Sequence, residues 1–282
     1  MAACGIRIAI LGGRGMLGSD LTSACRQKGF DPIVFDLPEF DITDADDVRQ
    51  AISNADAIVN CAAYTNVNGA ESETELAYRI NADAVGRLGT IARDADKWLL
   101  HISTDFVFDG RSDRPYVETD PAHPVNTYGR SKLAGEQLLA ESGCRYCIMR
   151  LEWTYGAAGN NFVTKFLQRA EAGTPLRVVD DQIGSPTATT EVSNAICELL
   201  HERPEGLFHF ASAGYVSRYD MARFIVDTLS MGLDVLPCKT RDFPSPAARP
   251  LNSRFNCSKI QALLGEPINR WQVPLERFLR QL

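Results

Sequence analysis

Short apolar runs alternate with longer amphipathic segments through the first half of the chain. Five runs of four to six residues, rich in Ile, Val and Leu, are typical of buried strands: 7–11, 32–35, 57–60, 98–103 and 146–151. Segments between them have the length and the 3.6-residue periodicity of helices, including 16–28, 82–95 and 128–141. This repeated order of strand and helix predicts an α/β fold, a doubly wound parallel sheet with helices on both faces.

The pattern changes after about residue 152. Helices are predicted over 161–172, 190–201 and 219–229, with a short strand over 176–179. The proline-rich stretch FPSPAARP precedes further apolar helical sequence, so we expect it to be an ordered loop. The second half is therefore expected to form a smaller α/β lobe packed at the carboxyl end of the sheet.

Composition narrows the class of protein. The 282 residues are 45% hydrophobic and 23% charged, with a formal charge of −7 and no basic cluster with interleaved aromatics, so we expect no nucleic-acid partner. No apolar run approaches the roughly 20 residues that cross a bilayer, and the N-terminus lacks a charged leader; we expect a cytoplasmic protein without membrane contact. The eight cysteines are scattered through apolar segments, and the CxxC at Cys144 and Cys147 has no second pair or nearby His pair. No metal is expected.

A glycine-rich turn follows the first predicted strand. LGGRGMLGSDL places Gly12, Gly15 and Gly18 where the strand passes into a helix. Small residues there let the backbone approach a pyrophosphate, whose charge the helix N-terminus then meets. The spacing is G-x-x-G-x-x-G rather than the usual G-x-G-x-x-G, and a turn with close helix packing is the alternative. Its position after the first strand favours nucleotide binding.

Two charged residues favour different dinucleotides, one NAD and the other NADP. Asp36 lies 18 residues beyond Gly18, at the end of the second strand, where a carboxylate accepts hydrogen bonds from adenosine ribose and favours NAD. A turn aspartate before Pro38 is the alternative interpretation. Arg14, inside the glycine turn, favours NADP. We therefore expect both NADH and NADPH to be used.

Polar residues lie at the carboxyl ends of two further strands and at the start of the next helix. NCAAYT at 60–65 ends the third strand with small residues, and HISTDFVF ends the fourth with Thr104 and Asp105, although hydroxyls there can simply cap a turn. Tyr128 and Lys132 are four residues apart and share one helix face, as an ordinary solvated pair would. Because the carboxyl ends of parallel strands meet at one edge, we expect these groups to converge in a crevice there.

In combination these segments resemble the extended short-chain dehydrogenase/reductase family, with its Rossmann-type sheet, and within it the reductases of nucleotide-linked keto sugars. The resemblance spans nearly the whole chain and depends on the order and spacing of its segments: GGRGMLG, NCAAYTNVNGAE, HISTDFVFDG, ETDPAHPVNTYGRSKLAGE, WTYG with GNNFV, DDQIGSPT and ARPLNSRF. It implies an NAD(P)-binding domain over 1–155 and a mainly nucleotide-sugar-binding domain over 156–282.

The resemblance also implies roles for individual residues. Tyr128 matches the proton donor, Lys132 its partner, and Thr104 the hydroxyl of the catalytic triad. The ammonium of Lys132 is expected to draw the tyrosine pKa from about 10 towards neutrality and to hold the nicotinamide ribose. Thr104, Asp105 and Trp153 match sugar-binding positions, Trp153 as an apolar wall, with a core aromatic as the alternative. The implied cofactor-binding positions are Gly12, Gly15, Met16, Leu17, Gly18, Asp36, Asp41, Ile42, Ala62, Ala63, Thr65, Tyr128 and Lys132.

The implied reaction is reduction, by NADPH or NADH, of the C4 carbonyl of dTDP-4-dehydro-6-deoxy-L-mannose to give dTDP-L-rhamnose. A dTDP-linked deoxysugar is then the substrate, and a homodimer is a candidate assembly. One alternative is a reductase of another nucleotide-linked keto sugar. The other is a non-catalytic regulator similar to the methionine adenosyltransferase beta subunit, against which the intact Thr104, Tyr128 and Lys132 argue.

The chain departs from the family pattern at four positions, two in each of two segments. The usual RTSW is RLEW here, so we expect Glu152 to place a carboxylate beside the sugar site. The usual NVDKAE is NVNGAE, with Asn68 and Gly69 in place of an acid and a lysine. Because a few polar contacts orient a hexose, these departures leave the identity of the sugar open.

Overall fold

The computed structural model describes residues 5–173 and 175–282. Its strands are β1 (Arg7–Leu11), β2 (Asp31–Phe35), β3 (Ala57–Asn60), β4 (Trp98–Thr104), β5 (Tyr146–Leu151), β6 (Thr154–Tyr155), β7 (Leu176–Val179), β8 (Ile183–Gly184), β9 (Thr187–Ala188), β10 (Gly206–Phe210), β11 (Val216–Ser217) and β12 (Val235–Cys238). Its α-helices are α1 (Met16–Gln27), α2 (Ala45–Ser53), α3 (Thr74–Tyr78), α4 (Ala84–Asp94), α5 (Thr127–Glu141), α6 (Phe162–Glu171), α7 (Thr189–Glu202), α8 (Arg218–Thr228), α9 (Ser258–Gln261) and α10 (Gln272–Leu279).

A six-stranded parallel sheet forms the centre of the molecule, in the order β2, β1, β3, β4, β5, β10. The predicted α/β class with a doubly wound parallel sheet is confirmed, and each predicted strand and helix lies within two residues of its observed bounds. Chain order reverses at β1, which has β2 on one side and β3 on the other. Such a switch point opens a crevice at the carboxyl ends of the strands.

Apolar side chains cover both faces of the sheet. One face packs against α1, α7 and α9, and the other against α2, α4 and α5. A separate core, with short strand pairs β6–β9, β7–β12 and β8–β11 around it, joins Trp153 and Tyr155 to α6, α8 and α10. β10 belongs to the sheet and α7 packs against it, although both lie beyond residue 155. The division into 1–155 and 156–282 stays a prediction.

The cysteines of the described residues are free thiols, most of them buried. Cys4 lies outside the described part of the chain. Over residues 5–173 and 175–282, no helix is both long and apolar enough to cross a bilayer.

Helix α5 lies against its neighbours at backbone distance. A Cβ atom at Gly129 would overlap the carbonyl oxygen of Phe106, and one at Gly135 would overlap that of Asn81. Asn126 caps the helix by accepting a hydrogen bond from the Gly129 N–H at 2.8 Å. Glycine at these two positions is therefore a steric requirement of the packing.

A buried ion pair also holds α5 to the sheet. Glu136 accepts from Arg150 on β5, with Nε to Oε1 at 2.9 Å, and also from the Ser103 hydroxyl on β4. Both charged side chains are more than nine-tenths buried. Since an unpaired buried charge is costly, the pair fixes the helix relative to both strands.

We expect Gly135→Ala to destabilise the protein by about 1–3 kcal/mol, because the new methyl group overlaps backbone atoms. At an exposed helical site the same change would stabilise by about 1 kcal/mol. Urea unfolding measures the difference. Gly265→Ala is the matched control, since no atom lies within 4 Å of the position that its Cβ would take, and its effect should stay within about 0.5 kcal/mol. A Gly135→Ala protein as stable as wild type would contradict the close approach of α5.

Candidate active site

A cavity of about 580 Å³ lies at the carboxyl ends of the central strands. The thirteen implied cofactor-binding positions line it, as do Thr104, Asp105 and Trp153, whereas Arg14 and Glu152 do not. The glycine turn after β1, the residues after β3, the end of β4 and the start of α5 surround the cavity together. The predicted convergence of these segments at the switch point is therefore what the structure shows, while the roles of the residues stay predictions.

The glycine turn is shaped for close approach of a ligand. Gly12 has φ +72°, and a Cβ there would lie 2.6 Å from the backbone nitrogen of Ala62. Gly15 is the N-cap of α1 and offers no side chain, so the first-turn amides of the helix have no side-chain cap. Met16, Leu17 and Gly18, in that first turn, line the cavity. These features fit the phosphates of a dinucleotide.

Asp36 and Arg14 occupy different positions relative to the cavity. Asp36 lines it, and its carboxylate accepts from the backbone N–H groups of Arg14 at 2.7 Å and Leu37 at 2.9 Å. The Arg14 guanidinium instead donates to Glu39 at 2.8 Å and to the carbonyl of Leu37, and it is not part of the cavity wall. Of the two residues, Asp36 alone lines the cavity.

The end of β4 presents a hydroxyl joined to a buried carboxyl. Thr104 donates to Asp105 Oδ1 at 3.1 Å and accepts from the Phe106 N–H at 3.2 Å. Ser253, from the C-terminal part of the chain, donates to Asp105 Oδ2 at 2.5 Å. Burial raises the pKa of Asp105 although these donors oppose the rise. Ser253 was not among the predicted site residues.

Tyr128 and Lys132 differ from expectation in their electrostatics. Burial raises the pKa of Tyr128 to about 12; the nearby Asp105 carboxyl adds to the rise and the Thr104 hydroxyl opposes it. The Lys132 amine is not directed at the phenol: it donates to the Ile102 carbonyl at 2.7 Å and lies 3.3 Å from His101 Nε2. Burial also lowers the pKa of Lys132 to about 8. The expected shift of the tyrosine pKa towards neutrality is therefore absent from this structure.

Trp153 is held between charged and backbone groups rather than presented as an open wall. The guanidinium carbon of Arg218 lies 3.5 Å from the centroid of its ring, and a Cβ at Gly184 would lie 2.6 Å from its Cε2. The residue is 9% exposed and has φ +46°. Burial lowers the pKa of Arg218 to about 9.

A second cavity of about 220 Å³ shares Phe106, Trp153 and Arg218 with the first. Arg249 and Phe162 also line it, and the Arg249 side chain donates to Asn68 at 2.8 Å. Sequence reasoning missed both arginines as site residues. Each is a lone arginine far along the chain from the glycine turn, and only the fold brings it there.

Asn68 and Gly69, which depart from the family pattern in NVNGAE, both lie against other side chains. Asn68 Oδ1 accepts from the Ser245 hydroxyl at 2.9 Å as well as from Arg249, so this segment contacts FPSPAARP. A Cβ at Gly69 would overlap the hydroxyl of Tyr64, which leaves no space for a longer side chain without movement. Glu71 accepts from both the N–H and the hydroxyl of Thr127, at 2.8 and 2.9 Å, at the start of α5.

The expectation that Glu152 places a carboxylate beside the sugar site is wrong. Glu152 is 1% exposed and lines neither cavity. Its two oxygens accept from the backbone N–H groups of Ser185, at 3.1 Å, and Phe255, at 3.4 Å. Burial, and to a smaller extent the nearby Asp105 carboxyl, raises the pKa of Glu152 well above its usual value. Glu152 therefore ties two distant segments to the end of β5.

The raised pKa of Glu152 predicts a pH dependence of stability. Above pH 4.5 the Glu152 carboxyl ionises in the unfolded chain but stays protonated in the folded chain. The free energy of unfolding therefore falls as the pH rises from about 4.5 towards the folded-state pKa. Glu152→Gln cannot ionise and should lose this part of the fall when urea unfolding is measured between pH 5 and 8. Glu75→Gln, at an exposed site, should keep the wild-type slope. Identical slopes for wild type and Glu152→Gln would show that the carboxyl is ionised in the folded chain.

Known proteins are similar to this chain over nearly its full length. The family model of the RmlD substrate-binding domain matches residues 6–282. The dTDP-4-dehydrorhamnose reductase of Mycolicibacterium smegmatis is 37% identical over 275 residues, covering 96% of this chain and 84% of the relative. That of Escherichia coli K12 is 34% identical, with 98% of each chain covered.

Solved structures are similar over the same length. The dTDP-4-dehydrorhamnose reductase of Bacillus anthracis, in complex with NADP, has a TM-score of 0.94 at 35% identity and covers 99% of this chain and 100% of its own. A UDP-glucose 4-epimerase of Thermus thermophilus, 19% identical with a TM-score of 0.84, shares the fold. Because relatives above 30% identity match almost from end to end, the chain belongs to the dTDP-4-dehydrorhamnose reductase family.

Proposed function

We propose that the protein reduces the C4 carbonyl of dTDP-4-dehydro-6-deoxy-L-mannose with NADPH or NADH and releases dTDP-L-rhamnose. The observation that carries this proposal is the convergence of Thr104, Tyr128 and Lys132 in one cavity with an uncapped glycine turn. Family membership supports the same reaction. A cytoplasmic location and a homodimeric assembly are parts of this proposal that stay predictions.

The glycine turn is the proposed site of the dinucleotide pyrophosphate. Gly12 leaves room for it beside Ala62, and the first turn of α1 supplies amide donors. Asp36 is placed to accept from the adenosine ribose. The similar Bacillus anthracis structure holds NADP, and the carboxylate of Asp36 suits NAD, so both reduced cofactors are proposed. When bound, the dinucleotide supplies a hydride for the C4 carbon.

The proton that the reduction needs comes from a side chain of the cavity, that of Tyr128. Because its pKa is raised to about 12, Tyr128 is protonated at neutral pH, the state that a proton donor requires. The Tyr128 hydroxyl would give its proton to the carbonyl oxygen as C4 is reduced, leaving the product hydroxyl and a phenolate that regains a proton from water. The Thr104 hydroxyl, now bonded to Asp105, would turn to donate to the same oxygen and stabilise its developing charge.

The nucleotide part of the substrate is assigned to the second cavity. Arg218 and Arg249 line it, and guanidinium groups bind phosphate oxygens well. Phe106 and Phe162 offer ring faces beside them. Glu152, one of the departures that left the sugar open, lines neither cavity and so gives no support to a different sugar.

Tyr128→Phe should lower turnover by about 10²–10⁴-fold, because it removes the transferable proton. NADPH affinity should change little, since one hydroxyl is lost and the ring stays. Loss of absorbance from reduced nicotinamide measures turnover, and fluorescence titration measures affinity. Tyr146→Phe, outside the cavity wall, is the control and should keep the wild-type rate. A Tyr128→Phe enzyme at full rate would remove Tyr128 from the mechanism.

The substrate assignment predicts that dTDP-4-dehydro-6-deoxy-L-mannose is reduced and that NMR identifies dTDP-L-rhamnose as the product. Trp153→Ala should weaken sugar binding by about 1–3 kcal/mol, because the ring lines both cavities and is the face on which the Arg218 guanidinium stacks. The change should be seen in KM for the sugar, while the Kd for reduced nicotinamide stays unchanged.

Two results would replace this assignment. Brisk reduction of another nucleotide-linked keto sugar, without dTDP-L-rhamnose formation, would establish the alternative reductase. Cofactor binding without reduction of any keto sugar, together with co-purification with an adenosyltransferase, would establish the regulator.

A further inference from the structure

The segment NVNGAE meets the proline-rich segment FPSPAARP at the edge of the second cavity. Asn68 Oδ1 lies 2.8 Å from Arg249 Nη2 and 2.9 Å from the Ser245 hydroxyl. Arg249 lines the second cavity, whereas Asn68 lines neither cavity. Asn68 therefore contacts a group that a ligand can reach, although it is not itself part of the cavity wall.

The chemistry of the arginine fixes the direction in which the Asn68 amide faces. A guanidinium only donates hydrogen bonds, so the Asn68 atom beside it is the oxygen of the amide. Nη1 of Arg249 donates to the Ala247 carbonyl at 3.0 Å. These two acceptors orient the guanidinium, and its remaining N–H groups are left for a ligand.

Arg249 has no acidic partner at ion-pair distance in the part of the chain that the structure describes, and the same is true of Arg218. The carboxyls of Asp105 and Glu71 act on Arg249 from farther away. Each of them already accepts hydrogen bonds from other groups. The second cavity therefore presents two guanidinium charges that an anion can meet.

The neutrality of residue 68 keeps the charge of Arg249 available. Asn and Asp have the same shape, so a carboxylate at position 68 would pair with Arg249 at the distance where the amide now accepts. Gly69 cannot supply a lysine to neutralise such an acid, because a Cβ there would overlap the Tyr64 hydroxyl. An acid at position 68 of this chain would thus have Arg249 as its partner.

We propose that Asn68 is a positioning residue for the nucleotide, acting through Arg249. Its amide oxygen directs the guanidinium at the second cavity and, being uncharged, leaves that charge to the diphosphate of a nucleoside diphosphate. The inference rests on the proposed function in one respect, the assignment of the nucleotide to this cavity. The reaction at C4 has no part in it.

Calorimetric titration with dTDP, without any sugar, measures the effect. Asn68→Asp should weaken dTDP binding by about three- to tenfold, because the new ion pair competes with the diphosphate. Asn68→Ala, which removes the acceptor without adding charge, should weaken it by about two- to fivefold. Wild-type dTDP affinity in either variant would overturn the inference.

The Kd for NADPH, measured by fluorescence titration, shows whether these variants keep the fold of the larger cavity. It should equal the wild-type value in both, since neither Asn68 nor Arg249 lines that cavity. Asn68 is exposed, so its replacement leaves the core intact. Equal losses of NADPH and dTDP affinity would show a general structural defect and would overturn the specific role of Asn68.

A double-mutant cycle tests whether Asn68 acts through the arginine. Arg249→Gln alone should weaken dTDP binding by about ten- to hundredfold, as expected when a hydrogen bond to a charged group is lost. Adding Asn68→Asp to this variant should change the Kd by less than about twofold. A further loss as large as that in the wild-type background would show that the carboxylate repels the diphosphate directly, and would overturn the inference.

Asn66→Asp is the matched control for the added charge. Asn66 belongs to the same segment, lines neither cavity and accepts from the Gly69 N–H at 3.0 Å, a bond that a carboxylate keeps. The dTDP affinity of this variant should stay within about twofold of wild type, because the charge does not contact Arg249. A loss equal to that of Asn68→Asp would show that net charge alone acts and would overturn the role of the contact.

The inference and the proposed reaction fail on different results. If dTDP binds as expected but no keto sugar is reduced, the reaction is wrong, while the effects of Asn68 and Arg249 on dTDP binding still support the inference. If the keto sugar is reduced but Asn68→Asp binds dTDP as wild type does, the inference alone is wrong. If the wild-type chain does not bind dTDP, the second cavity is not the nucleotide site and the inference is overturned.

Discussion

The geometry of the candidate active site depends on how closely α5 approaches the backbone around it. Two carbonyl oxygens, of Phe106 and Asn81, occupy the space in which Gly129 and Gly135 would carry side chains. The helix is therefore placed by contact between main chains, which cannot change rotamer. Tyr128 and Lys132 project from a helix whose position is set in this way, so their distance from the end of β4 is fixed before any ligand arrives.

Burial is the dominant electrostatic effect throughout this region. It raises the pKa of Asp105 and Tyr128 and lowers that of Lys132 and Arg218. In each of these cases it favours the uncharged form. A buried charge is stabilised only where a ligand or a hydrogen bond meets it. The anionic groups of a nucleotide sugar and the arginines at the second cavity fit that condition.

Periodicity and turn chemistry predicted most of the sheet because those signals are local. About ten residues are enough to recognise each of three features: the strand at 7–11, the glycine turn, and the i, i+4 pair of Tyr128 and Lys132. Arg218 and Ser253 were not predictable, since they approach Trp153 and Asp105 only after more than fifty residues of intervening chain have folded.

Side-chain direction was the other information that the sequence lacked. Glu152 precedes a tryptophan at the site, yet its carboxyl turns to the amides of Ser185 and Phe255. The partners of Lys132 were also hidden, because no local pattern connects His101 with Asn60, which lies 41 residues earlier on a neighbouring strand.

The return of the chain to the sheet through β10 has a consequence for how the protein folds. β5 gains its outer neighbour only when Gly206 pairs with Cys147, after much of the second core has been synthesised. Loop closure over that separation is slow, and the edge of β5 stays unpaired until it is complete. Completion of the sheet thus depends on chain that also contributes to the second core, and a gene fragment ending at β5 would yield a sheet with an open edge prone to self-association.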